Sequence, residues 1–275
     1  MEASSLELED LVSIAREAGD ALARDFGKRD LSEVVGVGHS GDVTVLADRL
    51  AEDIILKRLG EIGNIEVMSE EAGHVVFGKP EYTVVLDPLD GSSNYKRGLP
   101  AFAVSMEARS SPSNEPAMAV IYEPMCRRMF SAERGRGAFL DGARIHTNRE
   151  RPFGECLFDM DLHTAADETK FLKFVEAFRK FGVKLKSFRS VGSCAVPLAY
   201  TACGILDGFL DFSGNSRMVD IAAGLIILQE AGGTATDIRG KPIGEGYDSV
   251  IACSSERINR KVRKLLSDKA NLTRL

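Results

Sequence analysis

The sequence predicts a mixed α/β protein, with an α+β half followed by an α/β half. Three observations predict it. Two amphipathic helical patterns open the chain, over residues 6–27 and from about Thr44 to Leu59. Short strand-like runs then succeed one another from Ile65 to Leu140, as antiparallel strands do. After about residue 152 strands and helices alternate, which suggests a parallel or mixed sheet with helices on its faces. The junction is expected near residues 145–155. Two lobes follow, 1–150 and 151–275, packed as one structural unit. At 275 residues the chain sits near the size at which one core divides.

The elements are justified in order. In the first helix Leu8, Leu11, Val12, Ala15, Leu22 and Phe26 recur at helical spacing. A glycine-rich turn, Gly36 to Gly41, leads to a second helix with the stripe Leu46, Leu50, Ile54 and Leu59. Strands are expected at Ile65–Met68, Tyr82–Leu86, Phe102–Ala108, Ala117–Tyr122, Met129–Ala132 and Ala138–Leu140. In the second half the expected strands are Cys156–Asp159, Lys184–Phe188, Gly208–Phe212 and Ser249–Cys253. The helices there are Lys170–Phe181, Val196–Cys203, Ile221–Glu230 and Glu256–Leu266. The third of these stops at Gly232-Gly233, a good C-terminal signal.

Composition narrows the class. The chain is 44% hydrophobic and 28% charged, which is ordinary for a globular protein. A net charge of −6 argues against a uniformly basic nucleic-acid surface, so no nucleic acid is expected as a partner. The five cysteines are scattered, odd in number and form no CxxC pair, which points to reduced thiols in a cytoplasmic protein. The acidic start (Glu2, Glu7, Glu9, Asp10) is wrong for a signal peptide. The longest apolar run, Ile221 to Leu228, is too short to span a bilayer, so no membrane is expected.

The stretch Val84-Val85-Leu86-Asp87-Pro88-Leu89-Asp90-Gly91-Ser92-Ser93-Asn94 carries the most chemistry. An apolar strand run ends at two carboxylates three residues apart. Pro88 fixes its own φ and disfavours helix at Asp87, so the strand is expected to end there and turn. A turn lets Asp87, the Leu89 carbonyl and Asp90 converge as hard oxygen ligands, of the kind Mg²⁺ or Mn²⁺ takes. The same residues also suit an Asx-type turn, whose carboxylates accept backbone N–H groups. Gly91, Ser92 and Ser93 tilt the reading toward ions, because glycine permits close approach and a helix start suits an anion. Glu70 and Glu71 follow another strand-like run and, taken alone, read as a solvated loop. Asp220 opens the helix Ile221–Glu230, as cap, ligand or both. Asp42 and Asp48 lie at the start of the second helix, where capping accounts for Asp42 as well as function does. The four histidines (His39, His74, His146, His163) form no metal motif.

Three segments in this order, Met68-Ser69-Glu70-Glu71, Asp87 to Asn94, and Val219-Asp220-Ile221-Ala222-Ala223-Gly224 with Glu230-Ala231-Gly232-Gly233, match a family pattern. The chain resembles the inositol monophosphatase family of lithium-sensitive, metal-dependent sugar phosphatases. Within it the chain is most similar to archaeal enzymes acting on both inositol phosphate and fructose 1,6-bisphosphate. The resemblance covers nearly the whole chain, with secondary matches at Asp42-Val43-Thr44 with Asp48, Gly135–Phe139 and Arg189–Ser193. It implies a layered αβαβα sandwich, a homodimer, and two or three Mg²⁺ per site, with Mn²⁺ as a substitute. It implies a small phosphate ester as substrate: inositol 1-phosphate, fructose 1,6-bisphosphate or both. Glu70, Asp87 and the Leu89 carbonyl would hold one cation. Asp87, Asp90 and Asp220 would hold a second, with Asp87 bridging. Asp48 and Ser92, with Glu70, would serve catalysis by orienting and deprotonating the attacking water. The Gly91, Ser92 and Ser93 segment would hold the phosphate. Asp211 and Arg217 lie in a loop that does not align with the family; they read equally as contacts to a sugar hydroxyl and a second phosphate, or as surface residues. Electrostatics agrees, since two like charges about 4 Å apart cost on the order of 4 kcal/mol at an effective dielectric near 20.

The chain departs from the family at Val219, where Trp is frequent, and in the loop 211–217. Arg189 reads as structural, near a subunit contact. Other substrates of the same chemistry are a 3′(2′),5′-bisphosphate nucleotide and NADP. A binding role toward a macromolecular partner is a reading of another class. The run Gly36-Val37-Gly38-His39-Ser40-Gly41 fits a dinucleotide fingerprint, with Glu61 twenty residues past Gly41. That fingerprint requires a strand before it and an anion-friendly helix after it, and Asp42 would repel a pyrophosphate.

Overall fold

Helix α1 (Leu8–Asp25) opens the structure, a computed structural model that describes residues 5–28, 33–37, 43–148, 151–161, 167–212, 214, 216–244 and 246–267. The Asp10 carboxylate accepts the Glu7 N–H at 2.9 Å, which satisfies a free donor at the helix start. Leu11, Ile14, Ala15, Ala18 and Leu22 form its buried stripe. A short hairpin follows, β1 (Val34–Val37) and β2 (Val43–Val45), with Gly36 opposite Thr44. Helix α2 (Leu46–Ile62) therefore begins two residues later than the sequence suggests, because the valines at 43 and 45 pair with β1 first. The dinucleotide reading fails here: Gly36 lies in a strand that pairs antiparallel with the next strand, not in a turn feeding a helix. Residues 38–42, including His39 and Asp42, lie outside the described residues, as does His163.

Eight strands form the large sheet: β3 (Ile65–Ser69), β4 (Gly73–Phe77), β5 (Tyr82–Asp90), β6 (Ala103–Ser110), β7 (Glu115–Glu123), β8 (Arg128–Glu133), β9 (Gly137–Leu140) and β10 (Ala143–Ile145). Their order is β10-β9-β8-β7-β6-β5-β3-β4, and only β3 and β5 run parallel. Strands β4 and β10 were not predicted. Both are edge strands, and pairing on one side only leaves little pattern in the sequence.

Strand β5 corrects a sequence expectation. It does not stop at Asp87 but runs through Pro88 to Asp90. Asp87 pairs with Ser105 and Asp90 with Ala103, so β5 carries one extra residue there as a bulge. A bulge needs no ladder donor from the extra residue, which is where proline is tolerated in a strand. Helix α3 (Ser92–Arg97) follows after Gly91. Gly91 has φ 90°, and a Cβ there would lie 2.8 Å from the Ala101 carbonyl oxygen. Gly91→Ala is expected to lower stability by about 1–3 kcal/mol, as a strained φ does; urea unfolding measures it, and an unchanged midpoint would refute the strain.

The second sheet holds β11 (Leu157–Met160), β12 (Ser187–Arg189), β13 (Gly208–Asp211), β14 (Thr234–Thr236) and β15 (Val250–Cys253) in the order β12-β11-β13-β15-β14. Strand β11 is parallel to both its neighbours, and the remaining pairs are antiparallel. A single 3₁₀ turn at Gly182–Lys184 takes the place of the expected strand start, so β12 begins at Ser187. Helices α4 (Glu168–Phe181), α5 (Ala195–Ala202), α6 (Met218–Glu230) and α7 (Glu256–Ser267) complete the chain.

The layers stack as α1 and α2, large sheet, α5 and α6, small sheet, α4 and α7. This is the αβαβα sandwich that the resemblance implies. Ile221, Ala223, Ile227 and Leu228 of α6 share one core with Ala119 and Phe130 of the large sheet and Phe209 and Ala252 of the small one. A helix with sheets on both sides is apolar all round, which explains its continuous apolar run. At Gly224 a Cβ would lie 2.6 Å from Leu198, so α5 and α6 approach closely there. No helix of the described residues is long and apolar enough to cross a membrane.

Candidate active site

Three elements deliver carboxylates to one point. Glu70 follows the end of β3, Asp87 sits at the bulge of β5, and Asp220 lies in the first turn of α6. One oxygen of each lies within 4.8 Å of the others. Parallel pairing explains the first two: Ser69 faces Leu86 across β3 and β5, and the Glu70 N–H donates to the Leu86 carbonyl at 3.1 Å. The layering explains the third, because α6 packs against β5 as well as the small sheet. Asp220 is both cap and cluster member, since its Oδ2 accepts the Arg217 N–H at 2.6 Å.

Such a cluster is electrostatically unfavourable by itself. Burial, then the charges of Glu70, Asp90 and Asp220, push the Asp87 carboxyl well above its usual range, against the opposing Leu89 N–H at 3.0 Å. Burial pushes Glu70 up to about 7, and the Arg217 guanidinium beside it opposes the rise. Arg217 bonds Glu70 and lies 3.3 Å from Asp220 Oδ1. The sequence placed Arg217 near a second phosphate; here it lies on the acid cluster and answers its charge.

Asp90, 5% exposed, stands outside the three oxygens that converge, although its charge acts on Asp87 and Asp220 acts on it. Its Oδ1 accepts the Cys194 N–H at 3.0 Å, and its Oδ2 accepts the Ala195 N–H at 3.0 Å and the Ser193 hydroxyl. Burial nevertheless pushes it up to about 6. Asp48, in the first turn of α2, accepts the Val45 N–H at 2.6 Å. Burial pushes it up to about 8, the Val45 bond opposes this, and Glu71, Glu70 and Glu52 add to it.

Ser92 and Ser93 open α3, where the first N–H groups of a helix lack intrahelical partners. Tyr95 anchors this turn: its hydroxyl donates to the Leu22 carbonyl at 3.1 Å, and its ring packs edge-on against Phe26 and Phe102. Asn94 ties the turn to the segment before α5, its Nδ2 lying 2.8 Å from the Val191 and 3.2 Å from the Gly192 carbonyl oxygens.

Asp211 departs from its expected role as a sugar contact. It is fully buried, and its carboxylate accepts N–H groups of Gly214 and Ser216 at 3.0 Å and the Ser216 hydroxyl at 2.7 Å. It fastens the loop that leads to Arg217. Ser213 and Asn215 of that loop lie outside the described residues.

Sequence reasoning missed the residues that hold these carboxylates in place. Ser193 was quoted only as a secondary match, yet its oxygen also accepts the Val196 N–H at 3.2 Å. A serine just before an apolar helix is the signal that could have found it.

Known proteins match nearly the whole chain. A profile of the inositol monophosphatase family matches residues 6–269. The chain is 37% identical over 264 residues to a fructose-1,6-bisphosphatase/inositol-1-monophosphatase of Thermococcus kodakarensis, covering 94% of this chain and 96% of that one. It is 39% identical over 249 residues to a fructose-1,6-bisphosphatase of Pyrococcus furiosus, covering 88% and 90%. Among solved structures, the extragenic suppressor protein suhB of Bartonella henselae superposes with a TM-score of 0.86 at 30% identity, covering 95% of this chain and 98% of that one.

Proposed function

Since the chain belongs to the inositol monophosphatase family and is a phosphatase, we propose that it hydrolyses inositol 1-phosphate and fructose 1,6-bisphosphate with Mg²⁺. The observation that carries this is the triad Glu70, Asp87 and Asp220, two of them buried and Glu70 half-buried, with one oxygen of each within 4.8 Å of the others. The donor set fits the group: all are hard carboxylate oxygens, and their mutual repulsion calls for added positive charge.

Glu70, Asp87, Asp90, Asp220 and the Leu89 carbonyl would hold two or three Mg²⁺, with Mn²⁺ as a substitute. When bound, the ions supply charge stabilisation to the attacking water and to the leaving oxygen. The phosphate is held by the N–H groups of Gly91, Ser92 and Ser93 at the start of α3. Asp48 and Ser92 orient the water, and Asp48 takes its proton, with Glu70 as the neighbouring carboxylate. Burial chiefly raises Asp48, and cations held by the neighbouring carboxylates would offset the part that Glu71, Glu70 and Glu52 add. Arg217 pairs with Glu70 and Asp220, and cations held there would free its guanidinium for a second phosphate, while Asp211 fastens its loop. Lobes 1–150 and 151–275 act as one unit, because Asp220 comes from the second and the other carboxylates from the first. A cytoplasmic homodimer with no nucleic-acid partner completes the proposal; light scattering tests the dimer.

Phosphate release across a panel of inositol 1-phosphate, fructose 1,6-bisphosphate, a 3′,5′-bisphosphate nucleotide and NADP, with Mg²⁺ and then with EDTA, tests the function. Activity that survives EDTA would sink it. Ser92→Ala is expected to lower kcat by about 10²-fold or more, the scale of positioned proton transfer, with little change in Mg²⁺ affinity. Unchanged turnover would remove Ser92 from the water-orienting role.

A further inference from the structure

Glu52 is a buried acid that the proposed mechanism does not use. It lies one turn beyond Asp48 on the same face of α2 and is 6% exposed. Its Oε1 accepts the Ser69 hydroxyl at 2.5 Å and the Ala72 N–H at 2.8 Å. Those two donors bracket Glu70 and Glu71. The turn is thus gripped on both sides: β5 holds the Glu70 N–H through the Leu86 carbonyl, and α2 holds Ser69 and Ala72 through one carboxylate oxygen.

This placement is electrostatically unfavourable. Glu52, Glu70 and Glu71 all act on Asp48 in the same sense, so Glu52 adds negative charge to a region already crowded with it. Burying a carboxylate there is tolerated because it accepts two hydrogen bonds from the turn. An apolar residue on this face of α2 would leave the Ser69 hydroxyl and the Ala72 N–H to find other partners.

We propose that Glu52 is a positioning residue for the metal centre: its carboxylate clamps the β3–β4 turn to α2 and holds Glu70 at the distance from Asp87 and Asp220 that a shared cation requires. The inference rests on the metal-site reading above and deepens it. Outer groups that orient metal-binding side chains commonly set metal affinity by 10–100-fold. The clamp acts through hydrogen-bond acceptance, so a neutral isostere retains it.

The test compares wild type, Glu52→Ala, Glu52→Gln and the milder Ser69→Ala. Mn²⁺ affinity is read by calorimetry, and amide exchange of residues 69–73 is read without metal. Glu52→Ala is expected to weaken Mn²⁺ binding about 10–100-fold and to speed exchange at Ala72. At saturating Mn²⁺ its kcat changes much less than its metal requirement. Glu52→Gln stays within about threefold of wild type in both readouts, and Ser69→Ala falls between. If Glu52→Ala unfolds, the Gln and Ser69→Ala variants carry the test through the same two readouts. Unchanged Mn²⁺ affinity in Glu52→Ala would overturn the inference, and so would a Gln variant as impaired as Ala. A wild-type protein that binds no divalent cation would overturn the phosphatase reading itself, which separates the two failures.

Discussion

Asp87→Asn is expected to lower kcat/KM by about 10³-fold while leaving the fold intact. Asp87 is the member of the cluster that feels Glu70, Asp90 and Asp220 together. It is also the ligand that would be shared between cations. Loss of several kcal/mol of charge stabilisation corresponds to about three orders of magnitude, at tenfold per 1.36 kcal/mol. Asparagine keeps the shape and can still accept the Leu89 N–H, which Asp87 accepts at 3.0 Å. Removing one charge from a repelling cluster relieves the metal-free fold, so its melting temperature in EDTA is expected to equal or exceed that of wild type. Phosphate release and thermal melting of the same preparation check both halves. A variant with wild-type turnover would show that Asp87 holds no essential cation.

The metal-free protein is expected to lose stability steadily as pH rises from about 4 to about 8. The folded-state values of Asp90, Glu70 and Asp48 are raised to about 6, 7 and 8, against ordinary values of 3.8 for Asp and 4.5 for Glu. Over that window the folded state holds more protons than the unfolded chain. Stability therefore falls with rising pH: its contribution is complete below the unfolded values and is lost as each folded value is passed. Mg²⁺ binds the ionised cluster and opposes the loss. At 100 times its dissociation constant a ligand adds about 2.7 kcal/mol, worth on the order of 5–10 °C for a domain near this size. Melting curves at pH 5, 6, 7 and 8, with EDTA and with Mg²⁺, measure it. A flat EDTA profile would mean that the cluster is not strained, and a Mg²⁺ profile identical to it would mean that no cation binds there.

How much of this was legible beforehand depends on the element. Helices α1 and α7 were visible because their apolar residues recur over several turns, and α6 because a continuous apolar run stops at two glycines. Edge strands β4 and β10 and the three-residue strands β2 and β14 were not, because pairing across the sheet, not their own pattern, makes them strands. Pro88 misled: it implied a strand end, whereas opposite β6 it sits in a bulge that lets β5 carry Asp87 and Asp90 on one uninterrupted strand. The partners of Asp211 and Arg217 were not legible either: Asp211 binds Ser216 of its own loop, and Arg217 reaches Glu70 across the site.

The sequence by itself determined the mixed α/β class, the identity of the acidic residues and their order along the chain, because apolar periodicity and motif spacing are local and survive without coordinates; the layered sandwich came through the family resemblance. Only the tertiary structure decided which of those acids share a centre. Glu70, Asp87 and Asp220 meet because β3 and β5 pair in parallel register and α6 is wedged between two sheets. It also decided what holds them there: Ser193 and the start of α5 on Asp90, and Glu52 on the Glu70 turn. Those contacts join residues 17 to 105 positions apart. Interactions of that range depend on where whole elements pack, and no window of the sequence contains both partners.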